Sequence, residues 1–229
     1  MGDFNDFAST KERRIIRNSE LHDQTITKFD EIVVRDNRHF ANEISFMRGH
    51  MIGILDGNHN WIFKDGRTAT EDLSERMQTD YLGWLTHITI NFRIHNSDGR
   101  DRYNPIRMFI VACHGKAGGK LAGTTINQVD DLKKIFPAAD IYIMGHDHQR
   151  AAHPTAVLVP SNKGAKIKQK RQFLIRSGSF KKGYCDGVSG YEVSRLLRPS
   201  DLGAVICKIS IHRDRKDTDR LILDLRAEI

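Results

Sequence analysis

The chain has 229 residues, 39% hydrophobic and 28% charged, with 36 Lys and Arg against 29 Asp and Glu for a net charge of +7. That length suits one domain with a sizeable core, and the composition is ordinary for a soluble globular protein. No apolar run approaches the ~20 residues of a membrane helix, so no membrane partner is expected. Cys113, Cys185 and Cys207 have no metal-ligand spacing, and the polar, acidic N-terminus is unlike a signal peptide. Both features point to a reducing, cytoplasmic setting rather than a disulfide framework.

In chain order, Ile26, Phe29, Val33, Phe40 and Ile44 recur at helical spacing, and Gly49 can end that helix. HMIGIL (50–55) reads as a short strand entering the loop DGNHN. Thr68 with Glu71 three residues on is a capping box, and Leu73, Met77 and Tyr81 continue it as a helix. HITINFRI (87–94) alternates as a half-buried strand, and MFIVAC (108–113) is apolar throughout, as for a strand covered on both faces. INQVDDLKKIFP predicts a short helix stopped by Pro137, and DIYIMG (140–145) another buried strand. AVLVP, QFLIRSGS, AVICKISIH and RLILDLRA then follow as strands. A βα first half and a β second half predict two sheets face to face, with helices outside.

The basic residues are dense in SNKGAKIKQKRQ (161–172) and HRDRKDTDR (212–220). Both read first as solvated hairpin connections, although a basic hairpin can also follow a polyanion.

Three buried strands end in ligand-type residues: Gly57-Asn58-His59-Asn60, His114-Gly115, and Gly145-His146-Asp147-His148. Strand ends are where α/β sheets build sites, and glycine lets the backbone turn sharply beside a ligand. Strand ends delivering His and Asn to one rim suit a metal site. Each of the other histidines alone reads as a turn or surface residue.

The ordered set resembles the calcineurin-like metallophosphoesterases, whose motifs run D-x-H, G-D-x-x-D, G-N-H-D/E, a lone H and G-H-x-H. Gly2-Asp3-Phe4-Asn5-Asp6 matches the second, Gly57-Asn58-His59 the third, His114 the fourth and Gly145-His146-Asp147-His148 the fifth. RSGSF (176–180) resembles the Gly-Ser strand end that follows in many members. The resemblance implies a two-sheet αββα sandwich and one domain over residues 1–229. It implies hydrolysis of phosphate esters by a metal-activated hydroxide, with up to two divalent cations, Mn²⁺ foremost and Fe or Zn²⁺ as alternatives. Asp3 would bridge the metals. Asn58, His114 and His146 would complete one site, and His148 would serve the other. His59 would contact the phosphate and assist the leaving oxygen, oriented by Asp6.

The D-x-H motif, which should precede GDFND by one βαβ unit of ~30 residues or more, is absent. The chain is therefore expected to be an N-terminally incomplete form whose first strands are missing. The alternative is a catalytically silent metal-binding scaffold of the same fold. Asn60 stands where the family usually has Asp or Glu, and Phe7 where phosphoprotein phosphatases carry Arg. The second departure favours a phosphodiester or nucleic-acid substrate, the latter met through the basic hairpin Lys163 to Arg171.

Overall fold

The computed structural model describes residues 2–18, 22–93, 106–116, 122–160, 166–187, 191–194, 196, 199–200, 202–213 and 221–229. It is a mixed α/β protein with a five-stranded mixed sheet and a two-stranded sheet. The chain divides into two compact units, residues 1–86 with 113–115, and residues 87–112 with 116–229.

The first unit is built on α1 (Thr10–Asn18), α2 (Asp23–Glu43) and α3 (Ala69–Met77). A capping box starts α1: the Ser9 N–H donates to Glu12 Oε2 at 2.7 Å and the Glu12 N–H to Ser9 Oγ at 3.3 Å. In α2, Val33, Asn37 and Ala41 lie four residues apart and form its buried face. The capping box predicted at Thr68 and Glu71 is present at the start of α3. The helix ends sooner than the spacing of Leu73, Met77 and Tyr81 predicts, because Gln78 turns left-handed (φ 55°). Tyr81 instead lies on an extended segment paired with Ile54.

HMIGIL is not a full strand. Ile54 forms an isolated parallel bridge to Tyr81, with Ile54 N–H donating to Asp80 O and Leu82 N–H to Ile54 O. The segment is extended, but its described pairing reaches only residues 80–83 and is too short for a ladder.

Two apolar clusters hold the loop after Gly2. Phe4 packs with Ala41, Ile54, Leu73 and Met77, while Phe7 and Ala8 pack with Val33, Trp61, Phe63 and Ala69. The loop is thus anchored by side chains on both sides of Asn5 and Asp6. Asn5 Nδ2 adds a 3.0 Å bond to the buried Asn37.

The larger unit carries most of the sheet. Its strands are β1 (Leu85–Phe92), β2 (Ile106–Cys113), β3 (Ile141–Met144), β4 (Arg150–Pro160) and β5 (Ile167–Ser177), in the order β1-β2-β3-β5-β4. Alternate burial along β1 and near-continuous burial along β2 agree with the sequence patterns. β3 runs parallel to β5, from Ile141 opposite Phe173 to Met144 opposite Arg176. β4 and β5 form a long antiparallel hairpin from Arg150 opposite Ser177 to Pro160 opposite Ile167. α4 (Ala122–Asp130) runs into a 3₁₀ turn before Pro137, and a four-residue helix α5 (Tyr191–Ser194) precedes the last hairpin.

β6 (Ile206–Arg213) and β7 (Leu221–Glu228) pair antiparallel as the second sheet. Leu225, Leu223, Ile209, Cys207 and Val205 pack against Met108, Ile110, Ile141, Phe173 and Ile175 of the first sheet. The expected face-to-face packing of two sheets therefore holds within this unit. No described helix is long and apolar enough to cross a membrane. Lys163 and residues 214–220 of the two basic stretches lie outside the described residues.

Candidate functional site

The first unit brings five of the sequence-predicted residues together. Asp3, with φ 44°, sits at a sharp turn immediately after Gly2 (φ 69°). Its Oδ1 accepts the His59 backbone N–H at 2.7 Å, and its Oδ2 lies 3.1 Å from His114 Nε2. The same His114 nitrogen is 2.8 Å from Asn58 Oδ1. Glycine is required for this approach: a Cβ on Gly2 would overlap His114 Nδ1, and one on Gly57 would overlap the Asp3 backbone nitrogen and carboxylate.

His114 is 1% exposed. Its backbone N–H donates to Trp84 O at 3.1 Å, and the Trp84 ring meets the imidazole edge-on at 5.1 Å. Burial pushes the Asp3 carboxyl upward, but the hydrogen bonds from His114 and the His59 backbone, with the charges of both rings, outweigh it. The net effect holds Asp3 below the usual carboxylate range.

This donor set fits a divalent cation. Asp3 Oδ2 and Asn58 Oδ1 both face His114 Nε2, whose single proton could meet them only as a shared, weaker three-centre bond, whereas a cation would meet all three atoms. His114 Nε2 lies 3.1 Å from Asp3 Oδ2 and 2.8 Å from Asn58 Oδ1, close enough for the three atoms to share one cation. Neutral His, amide oxygen and one carboxylate suit Mn²⁺, Fe or Zn²⁺.

Beside it, His59 Nδ1 lies 2.5 Å from Asp6 Oδ1. Asp6 is exposed and His59 is partly exposed. The pair is tied in place by backbone, with the Phe7 N–H donating to His59 O at 3.2 Å.

His146 and His148 lie in the second unit, on the turn that follows β3. Both have left-handed backbones (φ 76° and 58°), a conformation non-glycine residues hold only when their surroundings enforce it. Between them, burial raises the Asp147 carboxyl above its usual range, against the pull of Arg176 and of the Gln149 N–H.

Two residues that order the first group carry no mark of that role in the sequence. Arg13 Nη1 donates to Ala8 O and Asn58 O at 3.1 Å each, and also to Asn60 O. One guanidinium thus joins the two loops that carry Asp3 and His59. The S-T-K-E box at residues 9–12 signals the start of its helix, but nothing in the sequence marks which arginine turns inward. The second is Asp56. The buried Asn60 side chain donates to Asp56 Oδ1, and Tyr81 Oη donates to Asp56 Oδ2 at 3.0 Å. Burial, then this bond to a carboxylate, raises the Tyr81 phenol to about 12.

Asn60 therefore has a structural reason. A carboxylate there would face Asp56 with like charge and no donor. The substitution Asn60→Asp is expected to lower stability by roughly 1–3 kcal/mol, the cost of leaving a buried polar group without its partner. Denaturant unfolding at pH 7 measures it, and an unchanged midpoint would contradict this role.

No family model matches the chain, and no curated protein or solved structure matches it either.

Proposed function

We propose that this chain is a cytoplasmic, metal-dependent phosphoesterase of the calcineurin-like type, with the two-sheet αββα sandwich of that family. The observation that carries the reading is the convergence of Asp3, Asn58 and His114 around one imidazole nitrogen, beside the His59–Asp6 pair. In this reading His146 joins Asp3, Asn58 and His114 around one cation, and His148 serves a second with Asp3. Mn²⁺ is the cation proposed first. Such cations, when bound, lower the pKa of a water and neutralise charge on the phosphoryl oxygens.

The chain's own residues do the rest. Asp6 fixes the His59 ring through Nδ1, which leaves Nε2 as the atom to meet a phosphoryl or leaving oxygen. Asp3 holds the His59 backbone through Oδ1, so the acid and the metal ligands move as one piece. Arg13 keeps the two loops in register from the side.

The test is hydrolysis of bis-p-nitrophenyl phosphate with Mn²⁺, with chelator, and by His59→Ala. The expected outcome is turnover that needs Mn²⁺ and falls ~10²–10⁴-fold in the variant, the usual contribution of a positioned general acid. A folded chain that binds Mn²⁺ without turnover would contradict the enzyme reading and leave a metal-binding scaffold.

A phosphodiester, and nucleic acid in particular, is the substrate class proposed. Lys166, Lys168 and Arg171 are exposed at the start of β5. Lys170 is committed elsewhere: its Nζ lies 2.9 Å from the buried Asp140 carboxylate and donates to Ala138 O. The substitution pair Lys166→Ala and Lys168→Ala is expected to weaken DNA binding and reduce its salt dependence by roughly one to two phosphate contacts. Hydrolysis of the small diester should stay unchanged. Equal DNA affinity in variant and parent, measured by fluorescence anisotropy across salt concentrations, would rule out this surface.

A further inference from the structure

The largest fully buried side chain among the described residues is charged. Arg176, near the end of β5, is 0% exposed. A buried guanidinium is costly unless its donors are met, and these are met mostly by backbone. Nε donates to Thr125 O at 2.9 Å, and Nη2 donates to Gln128 Oε1 at 3.0 Å, both on α4. Nη1 donates to Gly145 O at 2.8 Å and lies 3.5 Å from Lys116 O, just after β2. The Asp147 carboxylate stands 3.3 Å from Nε and is 8% exposed.

Two of these partners belong to the turn Gly145-His146-Asp147-His148. The Gly145 carbonyl accepts both from Arg176 and from the Asp147 N–H at 3.1 Å. Gly178 N–H closes the far side by donating to Gln149 O at 3.1 Å. The turn thus has its carbonyl fixed at one end and its central carboxylate drawn inward, while His146 and His148 on either side hold left-handed backbones. The Asp147 carboxylate faces the guanidinium, so the centre of the turn between the two left-handed histidines is tied to Arg176.

We infer that Arg176 is a positioning residue that sets the metal affinity of the His146–His148 turn, acting through the Gly145 carbonyl and the Asp147 carboxylate. This rests on the metal-site reading above. Arginine suits the task because its planar fork reaches four separate acceptors in fixed directions, which a lysine ammonium cannot reproduce.

The experiment is Mn²⁺ titration calorimetry on the full chain, with circular dichroism to establish the fold of each variant. Arg176→Met is expected to bind Mn²⁺ ~10–100-fold more weakly, the usual effect of losing a group that orients metal ligands. Arg176→Lys should recover part of that loss. Gln128→Ala removes a partner on α4 and none on the turn, so it should keep the parent affinity. Asp147→Asn keeps the shape of the side chain but loses its charge, and should bind several-fold more weakly.

A folded Arg176→Met with the parent affinity overturns the inference. If neither Arg176 variant folds, Asp147→Asn decides, and parent affinity there overturns it equally. A parent chain that binds no Mn²⁺ overturns the metal-site reading and this inference with it.

Discussion

The first unit is organised by the need to bring a carboxylate, an amide oxygen and an imidazole to nearly one point. His114 is buried, so its ring nitrogen must find its partners inside the protein. Asp3 and Asn58 supply them from two different loops. Both loops can approach so closely only because Gly2 and Gly57 lack a Cβ. The apolar anchors Phe4, Phe7 and Ala8, the Asn5–Asn37 bond and the three carbonyls gathered by Arg13 all hold that approach in place. The His59–Asp6 pair follows from the same frame, because the His59 backbone is itself bonded to Asp3.

The second unit solves a comparable problem by a different route. Its two histidines sit on a strained turn, and a buried cation braces the backbone that carries them. The sheet makes this possible. β3 delivers Gly145 at its end, and β5, running parallel beside it, places Arg176 opposite Met144. The side chain then reaches the turn and α4 together. The packing of Leu225 and Leu223 on Met108, Ile141 and Phe173 keeps the sheet rigid beneath. Rigid elements carrying short, over-determined turns are what a metal or catalytic site requires.

Much of this was legible in the sequence, and the parts that were not share a physical cause. Strand ends carrying His114 and His146 are visible because buried strands read as apolar runs and glycine marks the turn beside each. The box at Thr68 and Glu71 was visible because its chemistry is local. The end of α3 was not, since Tyr81 continues the helical spacing and only the left-handed Gln78 breaks it. HMIGIL has the composition of a strand, but pairing depends on a partner that composition does not reveal. The roles of Arg13, Asp56 and Arg176 are hidden in the sequence by one cause. Charged residues are nearly always exposed, so nothing local distinguishes the few whose partners are carbonyls and amides brought near by the fold.

The proposed activity depends first on Asp3, Asn58 and His114 holding a divalent cation. Crystals grown with Mn²⁺, with data collected at the manganese absorption edge, test it most directly. The expected result is an anomalous peak within ligand distance of Asp3, Asn58 and His114. Manganese bound only elsewhere, or none beside His114 in a folded chain, would contradict it.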